Sequence, residues 1–80
     1  MLMQEIGDRI MKDIEKFNAN AKILQEAELD EKEMEILRTA KDYCEDAKSW
    51  LDKKEFYNAF ASVSYAHGLL DSLLKLNNKA

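Results

Sequence analysis

Composition and spacing predict an all-α protein, an antiparallel up-down-up three-helix bundle. Three observations carry that prediction. The 80 residues include no proline and only two glycines, Gly7 and Gly68. Lys, Glu, Asp, Ala and Leu dominate while β-branched residues are sparse, which is helical composition. Apolar residues recur every three or four positions along almost the whole chain, the period of an amphipathic helix. The spacing predicts helices over about 3–27, 30–51 and 53–76 within one domain, 1–80. Short connections between such helices imply antiparallel neighbours. A helical hairpin that completes its core by dimerising is the other architecture this pattern allows.

The first helix shows a clean stripe of Met3, Ile6, Ile10, Ile14, Phe17, Ala21 and Leu24, with Asp, Glu and Lys elsewhere. Gly7 lies inside it and should weaken the first turns. The second helix opens at Asp30, with Glu33 at capping-box spacing and Leu29 and Met34 at the staple positions. Ile36, Leu37, Ala40, Tyr43, Cys44, Ala47, Trp50 and Leu51 form a stripe wide enough to touch two neighbours. Tyr43 and Trp50 should close the rim of the core, with interface anchoring as the alternative role. Asp52 and Glu55 repeat the cap spacing, which predicts the turn at residues 52–55. The third helix presents Phe56, Ala59, Phe60, Val63, Ala66, His67, Leu70, Leu73 and Leu74 to the core. The tail from Asn77 should fray.

This third helix is unusual in its charge. Between Phe56 and Leu74 the only formal charge is Asp71, in a chain whose charged residues make up 35%. A helix that is apolar nearly all round is normally buried, and 80 residues supply little to bury it with. Asn58, Ser62, Ser64, His67, Asp71 and Ser72 exclude a membrane span. Ala61, Ser64, Gly68 and Ser72 form a small-residue strip that admits a close helix backbone, whether of this chain or of a second molecule. Tyr65, Leu69 and Leu76 also point away from the core. Ala61, Ser64, Tyr65, Gly68, Leu69 and Ser72 are therefore the candidate interface.

Other functions find less support. The formal net charge of −4 and the lack of a basic run oppose nucleic acid and anionic membranes. The lone Cys44 cannot form an internal disulfide and fits a reducing compartment, with no signal-peptide layout at the N-terminus. Cys44 lies mid-stripe, where a thiol is inert. His67, the single histidine, and Cys44 lack ligand spacing, so no metal and no cofactor is expected. His67 stands one turn before Asp71 and could bond it. That pair suits a general base or ligand site. Without further converging groups or an oxyanion donor, a core histidine whose ring nitrogens bond Asp71 and a neighbouring helix is the preferred reading, and the protein is read as leaning away from an enzyme.

The run Tyr65-Ala66-His67-Gly68-Leu69-Leu70-Asp71, with Ala40-Lys41-Asp42-Tyr43-Cys44-Glu45-Asp46-Ala47 and Asn58-Ala59-Phe60-Ala61, resembles a family of short archaeal proteins, domain of unknown function 357. The resemblance spans about Leu37 to Leu76; the first helix matches only as a generic amphipathic helix. It implies an up-down three-helix bundle, an archaeal source, a cytoplasmic location and no assigned activity. Tyr65, His67, Gly68 and Asp71 stand at the signature positions. Cys44 departs from the aromatic that such families carry after the tyrosine. The expected function is a protein–protein interaction module that self-associates as a homodimer through the third helix or binds another protein. The alternative is a small ligand-binding or catalytic domain centred on His67 and Asp71.

Overall fold

The structure, a computed structural model, describes residues 3–79, with side chains from residue 4 onward. Met3, the first residue of the predicted stripe, thus has a side chain outside the described set. Helix α1 spans Met3–Ile23, α2 spans Glu31–Asp52 and α3 spans Phe56–Leu76. A short 3-10 turn, Leu24–Glu26, follows α1 where a continuous α-helix to residue 27 was expected. The tighter turn still delivers Leu24 to the core.

Contacts along the helices define the topology. Gly7 lies beside Leu51 and Phe56, Asp13 beside His67, and Glu33 beside Asn77. Helices α1 and α3 therefore run in one direction and α2 in the other, the predicted up-down-up bundle. Ile10, Ile14, Phe17 and Leu24 fill the core from α1. From α2 come only Ala40, Cys44 and Ala47. From α3 come Ala59, Val63, Ala66, Leu70, Leu73 and Leu74.

Two predicted core residues lie elsewhere. Phe60 is 52% exposed and Ile36 is 36% exposed. The small buried residues of α2, with Ala59 and Ala66 of α3, let those helices pack closely, so only a narrow arc of each is enclosed. Phe60 and Ile36 sit at the edges of those arcs. Tyr43 and Trp50 do take the rim position, one exposed and one half-buried.

The helix ends show where local signals prevailed. Asp30 Oδ1 accepts the Glu33 N–H at 2.8 Å, and Glu33 Oε1 accepts the Asp30 N–H at 3.3 Å, completing the predicted capping box. Leu29 turns into the core, but Met34 stays 49% exposed, so the staple is one-sided. Glu33 has a second use: its Oε2 accepts from Asn77 Nδ2 at 2.9 Å. The α2 cap thereby ties the end of α3 at Asn77.

The second expected cap does not form. Asp52 is the last residue of α2, and Glu55 precedes α3 with no side-chain cap bond. The chain turns instead by satisfying the carbonyls of α2. Lys54 N–H donates to Leu51 O, and Glu55 N–H donates to Trp50 O, with Lys54 at φ 61°. That is a Schellman ending built on a lysine where glycine is usual. Helix α3 ends likewise, with Lys79 N–H on Leu74 O and Asn78 at φ 59°. Asparagine suits that left-handed position and lysine does not.

These ends separate three substitutions in a urea titration. Asp30→Ala should cost about 1 kcal/mol, the usual loss for a helix cap. Asp52→Ala should stay within about 0.5 kcal/mol, as for an ordinary surface change. Lys54→Gly should add roughly 0.5–1 kcal/mol by relieving the left-handed residue. A large loss for Asp52→Ala would contradict the observed turn.

Candidate functional site

Helix α3 carries every signature residue and divides them between two sides. On the α1 side, the His67 ring is half-buried and stands edge-on to Phe17, with centroids 5.9 Å apart. Its Nε2–H donates to the Asp13 carbonyl oxygen at 2.8 Å. A carbonyl oxygen only accepts, so this bond places the proton on Nε2. The partner is thus the α1 backbone; the bond to Asp71 expected from spacing is not made. The side chain one turn on along the same helix lost to a carbonyl on the neighbouring one, because the ring tilts inward toward Phe17. Nδ1 makes no protein hydrogen bond, and no buried side-chain polar atom among the described residues lacks a partner. Nδ1 therefore opens to the groove outside.

That groove, about 490 Å³, runs between α1 and α3. Asp13, Lys16, Ser64, His67 and Asp71 line it, with Phe60 and Gly68. Beside His67 it is an open trough. Its charges oppose one another: one lysine against two carboxylates. Among the described residues, no group of three His, Cys, Asp or Glu side chains converges to hold a metal ion.

On the α2 side, Tyr65 stands against Tyr43 with ring centroids 4.6 Å apart at 65°. A shallow groove of about 370 Å³ joins Tyr65 and Leu69 to Lys32, Glu35, Ile36 and Thr39. Leu69 is half-buried against the core, so it is less exposed than its position on the wheel implied. Sequence spacing missed the contribution of Tyr43 and Ile36 to this surface. Their place at the edge of a wide stripe was the available signal.

Between these two sides lies the outward arc of α3. Ala61, Ser64, Gly68 and Ser72 are all exposed. A Cβ built on Gly68 would meet nothing within 4 Å. Neither α1 nor α2 occupies the small-residue strip, which rules out the possibility that the chain fills its own groove. Ser72 Oγ–H donates to the Gly68 carbonyl oxygen at 3.0 Å, so its hydroxyl is turned back along the helix. Tyr57, Phe60, Tyr65 and Leu76 surround the strip at 84%, 52%, 54% and 70% exposure. Gly7 is the opposite case, since its Cβ would lie 3.3 Å from the Phe56 ring. That glycine lets α1 approach the α2–α3 turn. Cys44 is buried, and desolvation pushes its thiol pKa above 9.0.

A family model described as "Protein of unknown function (DUF357)" matches residues 8–78. The chain belongs to the DUF357 family. Neither a curated protein nor a solved structure matches it. The match takes in α2, α3 and most of α1, more than the second-half resemblance read from motifs alone. In this DUF357 chain the signature residues Tyr65, His67, Gly68 and Asp71 do not form one cluster. His67 and Asp71 face α1, Tyr65 faces α2, and Gly68 lies between them facing outward. No described helix is long and apolar enough to cross a membrane.

The two glycines should respond differently to alanine in dilute protein. Gly68→Ala should raise unfolding stability by about 0.5–1 kcal/mol, since it gains helix propensity in open space. Gly7→Ala should gain less, because Phe56 must give way. Equal gains would mean that Gly7 is not a close-approach site. Cys44 should give an alkaline signature. Its raised folded pKa stabilises the protein below the pKa of a free thiol, and that contribution should fade as pH rises through the folded value. Unfolding midpoints should fall more steeply above pH ~9 in the wild type than in Cys44→Ala.

Proposed function

We propose that this DUF357 protein is a protein–protein interaction module that pairs with a second copy of itself through the outward face of α3. One observation supports this most directly. The face holds a glycine with open space above it, surrounded by exposed aromatic side chains, in a helix whose only charge from Phe56 to Leu74 is Asp71. Placing glycine mid-helix costs roughly 1 kcal/mol relative to alanine. Nothing inside the monomer recovers that cost, whereas close approach of a second helix would. The exposed apolar face gives such a helix something to bury. A net charge of −4 and the scarcity of basic residues near α3 favour a protein partner over nucleic acid. The same reading takes the protein as archaeal and, from its lone buried thiol, cytoplasmic.

The trough at His67 and Asp71 supports a second reading, a small ligand-binding or catalytic domain. Nδ1 open beside Lys16, Asp71 and Ser64 is the observation in its favour. Its opposed charges and shallow form offer no enclosed place for a reacting group, so we rank it below self-association.

Light scattering behind a sizing column distinguishes these readings. The wild type should move from monomer to dimer as concentration rises through the micromolar range. Tyr65→Glu, which places a carboxylate on the face, should remain monomeric with its helicity intact. His67→Gln should dimerise as the wild type does. A wild type that stays monomeric at high micromolar concentration would overturn self-association.

A further inference from the structure

The outward face of α3 has a pattern of large and small residues that complements itself when reversed. Tyr65 stands at its α2 edge against Tyr43, still 54% exposed, and Gly68, one turn on, is the open position. We propose that two copies pair α3 against α3 in antiparallel fashion, about a two-fold axis passing between residues 66 and 67, so that each Tyr65 seats over the Gly68 of the other copy. This deepens the self-association reading and rests on it.

Three further consequences of that axis agree. The rotation that sets Tyr65 opposite Gly68 also sets residue 57 level with residue 76. Tyr57 and Leu76, at 84% and 70%, are the two most exposed of the large apolar side chains described. They lie at opposite ends of α3, and a single axis chosen at its middle brings them level. Ala61 comes level with Ser72 in the same way, small beside small, which lets the backbones approach. The charges are also compatible. Asp71 lies level with Ser62 and Lys75 with Asn58, so no like charges meet along α3; just beyond its ends Lys54 comes level with Lys79. A parallel pairing would set Asp71 by Asp71, Lys75 by Lys75 and Tyr65 by Tyr65, leaving both Gly68 positions empty. Antiparallel helix dipoles add to the preference.

The available area sets the strength. Helix α3 has 21 residues, and the bundle is 19 Å across. At ~1.5 Å per residue α3 is about 31 Å long, and the 19 Å width of the whole bundle caps the footprint near 600 Å². A standard interface covers about 800 Å² per partner, so this pairing falls at the weak end, with micromolar dissociation. Ile36, Thr39 and Tyr43 on the α2 edge supply the breadth beyond α3 itself.

Pulsed spin-label distances test the pairing. One sample carries a label at Glu55→Cys; a mixed sample combines Glu55→Cys copies with Lys79→Cys copies. Cys44, buried with a raised pKa, leaves the introduced thiols as the reactive ones. Antiparallel pairing places two position-55 labels about 35 Å apart along the axis and brings positions 55 and 79 within about 20 Å. Parallel pairing reverses both, and that outcome overturns the proposal while leaving self-association standing. A monomer by light scattering overturns both. Tyr65→Ala and Gly68→Tyr should each weaken the dimer at least tenfold. The double variant should recover most of that loss, because the reversed pair keeps one large residue opposite one small one. Failure of the double variant to recover would also count against this register.

Discussion

The close contact of α2 with α3 is the constraint on which the rest of the bundle depends. Every fully buried residue of α2 is small: Ala40, Cys44 and Ala47. Among the buried residues of α3, Ala59 and Ala66 are small as well. Small side chains let two helix backbones approach closely, so this pair forms a tight hairpin with little side-chain bulk at its seam. The bulk comes from outside the seam. Ile10, Ile14, Phe17 and Leu24 on α1, with Leu70, Leu73 and Leu74 near the end of α3, fill the groove that the hairpin presents. Dispersion contacts at that density are what a chain of this size relies on.

Several otherwise separate features follow from that seam. Because the hairpin encloses only narrow arcs, Phe60, Ile36 and Tyr43 fall at the edges and reach the surface. Because α1 lies along one side, His67 meets the α1 backbone and Phe17, and Asp71 is left to the solvent. Glu33 ties the open end of the hairpin by joining the α2 cap to Asn77. Two Schellman endings complete the helix ends without help from Asp52. Each helix keeps one outward arc. On α1 and α2 that arc is charged; on α3 it is Ala61, Ser64, Gly68 and Ser72 among aromatic side chains. A charge-poor outward arc on one helix of three is the physical basis for expecting a partner.

The candidate site was partly legible before the structure. Gly68 and its small neighbours could be read as a strip, since helical spacing alone places Ala61, Ser64, Gly68 and Ser72 along one line. Which molecule fills that strip was not legible, because helical spacing gives directions around an axis and not the distance to the next helix. The absence of any atom within 4 Å of a Gly68 Cβ is a tertiary fact. Of the two His67 partners the sequence suggested, Asp71 and a neighbouring helix, only the second is met, and which group supplies it was not legible for a related reason. Spacing names only groups on the same helix, and Asp13 lies 54 positions away in sequence.

By itself, the sequence determined the helices, their order and most of the residues each turns inward, because hydrophobic period and composition act within a single helix. It also determined the Asp30–Glu33 box, a device of four consecutive residues. Only the tertiary structure decided how the hairpin closes, with Lys54 in a left-handed turn in place of an Asp52 cap. It likewise decided that Leu69 is half-buried while Phe60 is exposed, and that His67 belongs to the α1–α3 groove. These outcomes depend on the distance between α2 and α3. The small side chains of both helices set that distance jointly, and no pattern along either helix contains it.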